Sequence, residues 1–476
     1  MMLLLLLLLA PQASVAQPGV KLMMSSKGLD YVTNVITGWA QEKLLTTDIP
    51  QISGKVNIGI GSVYYVVYDM KVVKVDYPQP SVKFEENAGL HMELCGLSIA
   101  VTAEWRTKYG LIKDGGTLDL ALFDVCVESL LQLGKDDQAR LSVSTLTCKA
   151  QVGRVYTKFH GGAGILIQAF MDLFPGHIKA MTENAICPLL EKEIVNLEGV
   201  LAAMNVTYHV DPSLILNNSL TSDPVIQTSD MEVDFKGVFY SEWNPMEPPF
   251  PSKDFMLPCE TGHMFTLGIS QFCLNSYAYA CLTAGLLQIN VTDSMIPQKS
   301  PVRLNTSYFG PFIPQLPKMF PNMLMKLQVF ADEAPAVSLQ MDSLSLLLSA
   351  AVKAYAIDNT TTLHPLFTLN LTTQFSGKLN IANEKLMGKM GFDNLTLSLA
   401  SSEIGTFQTT TLKNVAIMGM KNGFLPKLNE MLQRGFPLPL MKGVALVKTV
   451  LQVQKGFLAV FSDVQISPPL YTEEEL

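Results

Sequence analysis

Prolines crowd the middle of this chain. The run Asn244-Pro245-Met246-Glu247-Pro248-Pro249-Phe250-Pro251, followed by Pro258, can neither propagate a helix nor enter a sheet. Each proline lacks a backbone donor and drives the residue before it toward extended geometry. The run reads as a stiff, extended linker. It constrains the rest of the chain because the two flanking halves follow one plan: a helical pattern, several alternating strands, then a second apolar helix. Ser25-Ser26-Lys27-Gly28-Leu29-Asp30-Tyr31 opens the first half, and Ser270-Gln271-Phe272-Cys273-Leu274-Asn275-Ser276-Tyr277 opens the second. Near the closing helices, Cys187-Pro188-Leu189-Leu190-Glu191 echoes Leu425-Pro426-Lys427-Leu428-Asn429. The same order on both sides of a linker points to a duplicated, two-domain architecture. A length of 476 residues lets each half bury a sizeable core.

Only 16% of the residues are charged, against roughly 25% in soluble domains, so apolar surface must be hidden somewhere. The one long apolar run, Met1 to Ala10, is far short of the ~20 residues a spanning helix needs. Followed by Ser14-Val15-Ala16, it reads as a secretory signal peptide over residues 1–16, although a positive n-region is missing. Seven Asn-x-Ser/Thr sequons, at Asn205, Asn217, Asn290, Asn305, Asn359, Asn370 and Asn394, fit a secreted glycoprotein. Seven cysteines in an extracellular chain form disulfides and leave at least one thiol over. Cys148 with Cys187 is the first pair, tying a strand region to a long helix, and closing such a loop is worth about 4 kcal/mol. Cys95 with Cys126 is a second, across a hairpin; two buried thiols on neighbouring strands is the other reading. Cys273 and Cys281 lie about 12 Å apart along one helix and do not pair with each other.

Val32, Ile36, Trp39, Ala40, Lys43 and Leu44 recur at helical spacing and predict a helix over Lys27 to Leu45. Asn57 to Val75 alternates, with Ile58, Ile60, Tyr64, Val66, Tyr68 and Met70 on one side. A hairpin runs from Leu90 to Trp105, turns through Arg106 to Gly110, and returns from Leu118. Ile167, Phe170, Phe174, Ile178, Met181 and Ala185 open a long helix over Gly164 to Met204, kinked or broken at Pro175 and Pro188. Its apolar positions are more than one packed face requires. In the second half a helix is expected over Phe265 to Gln288, strands over Ile289 to Leu399, a closing helix over Gly423 to Arg434, and a last extended segment to Val464.

The chemistry of catalysis is missing. No Gly-x-Ser-x-Gly elbow, His-Glu-x-x-His or P-loop occurs, and Gly96-Leu97-Ser98-Ile99-Ala100 sits in a period-2 strand, not at a strand-to-helix turn. The six histidines are scattered without metal-ligand spacing. What stands out is the hairpin tip: Trp105, Arg106, Lys108, Tyr109 and Lys113, with Lys55 on the neighbouring strand connection. Cations beside aromatics suit a surface of phosphates above acyl chains; a solvated turn with ordinary charges is the alternative.

Several stretches resemble the bactericidal/permeability-increasing protein and lipopolysaccharide-binding protein family. They are Pro18-Gly19-Val20 with Lys27 to Tyr31; Lys236-Gly237-Val238-Phe239-Tyr240-Ser241-Glu242; Asp293-Ser294-Met295-Ile296-Pro297; Lys318-Met319-Phe320-Pro321-Asn322-Met323; and, most specific, Leu428 to Pro439. The Cys148 and Cys187 pair also matches the family's disulfide in position. The resemblance implies an α+β, elongated boomerang of two similar barrels joined by a central sheet. The domains would be a first barrel over 17–240, a linker over 241–258 and a second barrel over 259–476. It further implies a non-enzymatic, secreted protein of innate immunity. The tip of its first barrel, through Lys55, Trp105, Arg106, Lys108, Tyr109 and Lys113, would bind lipopolysaccharide at the bacterial outer-membrane surface. Apolar pockets for phospholipid would involve Ile36, Ile167, Phe170 and Phe174. Nucleic acid and cofactors are not implied, and no receptor partner is specified. Two departures matter: Met23 stands where the family usually carries arginine, and residues 17–240 hold 18 Lys/Arg against 25 Asp/Glu, a net of −7. Long-range attraction to an anionic membrane is therefore weak. Lipid transfer without bacterial recognition is the alternative function.

Overall fold

The computed structural model describes residues 17–466 apart from 47–48, 163–164, 259–261, 297, 299, 301 and 439–443. The expected signal peptide, Cys259 and residues 467–476 lie outside the described residues. The first half runs β1 (Val20–Ser25), α1 (Ser26–Thr46), β2 (Ile52–Asn57), β3 (Ser62–Asp76), β4 (Ser81–Glu85), β5 (Gly89–Tyr109), β6 (Ile112–Lys135), β7 (Leu141–His160), α2 (Ile165–Ala203), β8 (Thr207–Asp211), β9 (Leu214–Asn217), β10 (Val225–Ile226), β11 (Asp230–Phe235) and β12 (Val238–Ser241). The second half runs β13 (Phe265–Ser270), α3 (Gln271–Thr283), β14 (Gln288–Thr292), α4 (Thr306–Phe309), α5 (Gln315–Met319), β15 (Leu324–Ala331), β16 (Ala336–Gln340), β17 (Ser343–Ile357), β18 (Leu363–Ala382), β19 (Lys385–Ser402), α6 (Thr410–Gly419), α7 (Leu425–Arg434), β20 (Phe436–Pro437), β21 (Val444–Gln454) and β22 (Phe457–Ile466).

The duplication is built into one sheet. Its order, β10-β11-β1-β13-β22-β21, takes three strands from each half, and β1 pairs antiparallel with β13 about Leu22 opposite Leu267. The serines that matched in the sequence do the same work on both sides: Ser25 Oγ accepts from the Gly28 N–H at 3.3 Å, and Ser270 Oγ accepts from the Cys273 N–H at 3.1 Å. Each satisfies an otherwise orphaned donor in a first helical turn. The expected helix over Phe265 to Gln288 is corrected here, since Phe265–Ser270 is a strand and the helix covers only Gln271–Thr283. Burial alternates along that strand, and its mate β1 shows the same pattern, so the period is 2 where a longer helix would need 3.6.

Outside the shared sheet, each half curls a long antiparallel sheet. The first is ordered β2-β3-β5-β6-β7 with β4 on β5; the second is β14-β15-β17-β18-β19-β20 with β16 on β17. The outer strand β7 is closed by α2. The Val152 N–H donates to Glu183 Oε1 at 2.9 Å, the Val143 N–H donates to Glu198 Oε2 at 2.6 Å, and Cys148 is bonded to Cys187 between them. Asn429 of α7 covers β19 in the same way, accepting from Met390 N at 2.7 Å and donating to Met390 O at 2.9 Å. Edges satisfied by side chains do not recruit other strands. α2 is continuous through Pro175 and Pro188, so it is not broken there. The accessible surface, 27309 Å², exceeds by roughly half what a compact globule of this mass exposes. That is the signature of an elongated pair of barrels.

The linker is fastened along the central sheet. Phe255 stacks on Phe457 at 4.8 Å, Phe250 meets Phe272 edge-on at 5.9 Å, and Asp254 lies 3.3 Å from the buried ammonium of Lys21. Gly268 makes room for it, since a Cβ there would meet Leu257 and Phe255 at 2.5 and 2.6 Å. The halves also interlock beside it, where the Phe239 N–H of β12 donates to Ser276 Oγ on α3 at 3.0 Å.

Candidate lipid-surface site

Two hairpins end side by side at the far end of the first barrel. β2 turns into β3 through Ile58-Gly59-Ile60-Gly61, with Gly59 and Gly61 at φ +87° and +147°. β5 turns into β6 through Gly110-Leu111 alone, since Tyr109 pairs directly with Ile112. The turn is therefore two residues long and lies beyond Arg106-Lys108, which are strand. Gly110 takes φ +57°, the left-handed region such tight hairpin turns require.

Register then decides which side chains meet. Lys55 on β2 pairs with Tyr64 on β3, Tyr64 with Lys108 on β5, and Lys108 with Lys113 on β6. Directly opposed residues share a face, so these four form one exposed row across four strands, about 14 Å long at the usual strand spacing. Arg106 lies in the next row on the same face, its guanidinium 4.9 Å over the Tyr68 ring, opposite Gly115, which has no side chain to cover it. The Tyr68 hydroxyl is held above its ordinary range first by a hydrogen bond with Glu104 and then by desolvation, with Arg106 opposing. Such a row can receive a polyanion.

The two aromatics expected in the tip do other work. Trp105 is 1% exposed on the inner face of β5, where its Nε1–H donates to Thr117 O at 3.1 Å and its ring meets Phe159 edge-on at 5.3 Å. It is a core residue, because the odd positions from Val101 to Thr107 face inward. Tyr109 joins the hairpins: its ring packs on Gly61, and its hydroxyl donates to Ile60 O at 2.8 Å. The sequence reading overlooked the apolar crown of Ile60 (71% exposed), Leu111 (100%) and Ile112. The available signal was an isoleucine and a leucine at glycine-flanked turns, where polar residues are the rule.

Of the four candidate pocket residues, the three whose side chains are described fall in different environments. Phe170 and Phe174 are buried against Tyr65, Trp105 and Phe159 in the barrel core. Ile36 is exposed on α1, and the side chain of Ile167 lies outside the described residues. The faces along β3 are likewise corrected: Val63, Tyr65 and Val67 are buried, while Tyr64 faces out and Met70 turns in after a bulge at Asp69 (φ 49°). A concavity of about 370 Å³ is lined by Glu85, His91, Glu128, Leu130, Thr147 and Lys149, too charged for an acyl chain. Among the described residues no group of side chains is arranged to hold a metal, and no helix is long and apolar enough to cross a membrane.

Of the seven sequons, Asn205, Asn290, Asn359, Asn370 and Asn394 are exposed. Asn305 is occupied, its Oδ1 accepting from the Tyr308 N–H at 2.7 Å as the cap of α4. Asn217 Oδ1 accepts from the Ser219 N–H at 3.0 Å. Cys95 and Cys126 are bonded across β5 and β6, where a bulge around Gly96 (φ 87°) sets the two opposite each other. Cys273 and Cys281 are free and buried, and burial pushes the Cys273 thiol up to about 12.

Two curled antiparallel sheets joined through a shared central sheet, with a cationic row beneath an apolar tip, define the class as an elongated two-barrel protein. The chain belongs to the LBP / BPI / CETP family, whose N-terminal domain matches residues 28–200 and whose C-terminal domain matches residues 208–466. It is 35% identical over 464 residues to the bactericidal permeability-increasing protein of Sebastes schlegelii, covering 97% of this chain and 98% of that protein. It is 27% identical over 463 residues to the human lipopolysaccharide-binding protein, covering 97% and 96%. The crystal structure of a lipopolysaccharide-binding protein superposes with a TM-score of 0.60 at 26% identity, covering 95% of this chain and 100% of that one.

Proposed function

We propose that this is a secreted, non-enzymatic protein of innate immunity that binds lipopolysaccharide of Gram-negative bacteria through the first-barrel tip. The observation that carries the reading is the row Lys55-Tyr64-Lys108-Lys113, with Arg106 beside it. Lys108 and Lys113 stand on adjacent strands about 5 Å apart and Lys55 two strands from Lys108, about 10 Å away, a spread that suits the multiple phosphates of lipid A, and charge-assisted hydrogen bonds to phosphate are the strong kind. The relatives' names support the same ligand. Because the first half is net acidic, capture depends on this local row and not on a long-range field.

The test is binding to immobilised lipopolysaccharide at 0.15 M salt, wild type against the triple variant K55E/K108E/K113E. Three contacts at about 1 kcal/mol each predict a loss of at least 100-fold. Undiminished binding would remove the row from the mechanism. Phospholipid carriage within the barrels is a second reading, favoured by large apolar side chains exposed on the helices: Ile36 and Leu45 on α1, Leu173, Leu189 and Val195 on α2. Native mass spectrometry of the purified protein decides it, with co-purified phospholipid expected and a lipid-free protein against.

A further inference from the structure

The lysine row does not reach the end of the barrel; the crown does. Ile60 and Leu111 are 71% and 100% exposed, Ile112 and Tyr64 52% and 58%, all at one end of one sheet. Single exposed apolar residues are ordinary, but a contiguous group rimmed by cations marks a contact surface. The crown is also held rigid. Tyr109 packs on Gly61 and donates to Ile60 O at 2.8 Å, so the two turns are presented as one unit. The nearest carboxylates do not interrupt it: Asp114 accepts from its neighbour Gly115 N at 2.8 Å, and Glu104 is two rows below the lysines.

We propose that Ile60 and Leu111 form a wedge that enters the acyl layer of a lipopolysaccharide-bearing surface while Lys55, Lys108 and Lys113 stop at its phosphates. The inference rests on the reading that the tip binds lipopolysaccharide, and adds how deep the tip goes and which side chains lead. The depth follows from register. The Tyr109–Ile112 pair and then the Gly110-Leu111 turn lie beyond the Lys108–Lys113 pair, two steps of about 3.3 Å, or roughly 7 Å. Interfacial elements bury their apolar side about 5–10 Å into the headgroup and acyl boundary. With the ammonium groups at the phosphates, Leu111 therefore reaches the first acyl carbons. The cations above it commit the wedge to an anionic surface rather than to a neutral bilayer or a protein groove.

A tryptophan at the apex reports the depth. In full-length L111W, with the wild-type signal subtracted, addition of lipopolysaccharide should shift emission to the blue and abolish quenching by iodide. The control E104W, on the same face two rows below the lysines, should stay quenched. The double variant I60S/L111S, with its melting curve checked, should bind lipopolysaccharide about 100-fold more weakly although its cations are intact. If L111W remains quenched in a protein that is bound, the wedge is wrong and the lipopolysaccharide reading stands. If the wild type fails to bind lipopolysaccharide at all, that reading falls and takes the wedge with it. Equal insertion of L111W into neutral phosphatidylcholine vesicles would overturn the commitment to an anionic surface, and unchanged binding by I60S/L111S would overturn the wedge.

Discussion

Replacing Trp105 separates a core role from a lipid-contact role. The side chain is 1% exposed, donates to Thr117 O at 3.1 Å, and meets Phe159 at 5.3 Å with the rings perpendicular. Truncation to alanine removes the transfer energy of an indole and leaves a cavity between β5 and α2, a loss of about 3–5 kcal/mol. Against a total stability of about 5–15 kcal/mol this is a fifth or more. With a urea slope of about 3 kcal/mol/M, the midpoint should fall by roughly 1–1.7 M. Trp105→Phe keeps most of the buried ring and loses the hydrogen bond, so about 1 kcal/mol is expected. The assay is urea unfolding followed by near-UV circular dichroism, with lipopolysaccharide binding of Trp105→Phe measured well below its transition. The reasoning predicts a lowered midpoint and unchanged binding. An unchanged midpoint with weakened binding would refute it, because that is the behaviour of a tryptophan lodged in lipid.

Three further outcomes follow from contacts away from the tip. Cys148 and Cys187, 39 residues apart, hold α2 against β7, and replacing both by serine should cost about 4 kcal/mol in the chain-entropy account, read as a drop in melting temperature that reduction of the wild type reproduces. Glycopeptide mapping should find the exposed Asn370 and Asn394 modified, and Asn305→Ala, which removes the Oδ1 that caps α4, should cost about 1 kcal/mol of stability; an unchanged melting curve would contradict the cap. Asp463 ties β22 to α1: burial pushes its carboxyl up, but Lys27 at 2.8 Å, the Met264 N–H and Lys448 outweigh burial and hold the pKa below the ordinary carboxylate range. A depressed folded pKa means this contribution is present above about pH 4 and is lost as pH falls through the folded value, so acidification below about pH 4 should destabilise the wild type more than Asp463→Asn. Equal acid sensitivity would show that the pair contributes nothing.

The features that were legible in the sequence are those set by local chemistry. Ser25 and Ser270 matched because a cap needs an oxygen within one turn of the donor it satisfies, and α1 lies within a residue of the expected bounds at each end because its apolar residues recur at helical spacing. The cations of the tip were found, but not the row they make, because Lys55 and Lys113 are brought together only through two intervening strands. Face assignments failed where a bulge intervenes. Asp69 and Asp124 at φ 49° and 55°, with Gly96 at 87°, each shift the alternation, and a shift of one residue sends every following side chain to the other face. Trp105 was misplaced because the turn was set at Arg106 to Gly110 when only Gly110 and Leu111 form it. The opening strand of the second half was absorbed into the helix that follows, since a six-residue stretch with Phe265, Leu267 and Ile269 is too short to separate the two periods.

Recognition of the lipid A phosphates by the row of lysines is best tested by varying the phosphates rather than the protein. Affinity of the wild type is compared for lipopolysaccharide before and after enzymatic removal of its lipid A phosphates, with the acyl chains unchanged, at two salt concentrations. The account predicts a loss of about 100-fold on dephosphorylation, a salt dependence that largely disappears with the phosphates, and no difference between the two ligands for K55E/K108E/K113E. Equal affinity of the wild type for both ligands would contradict it.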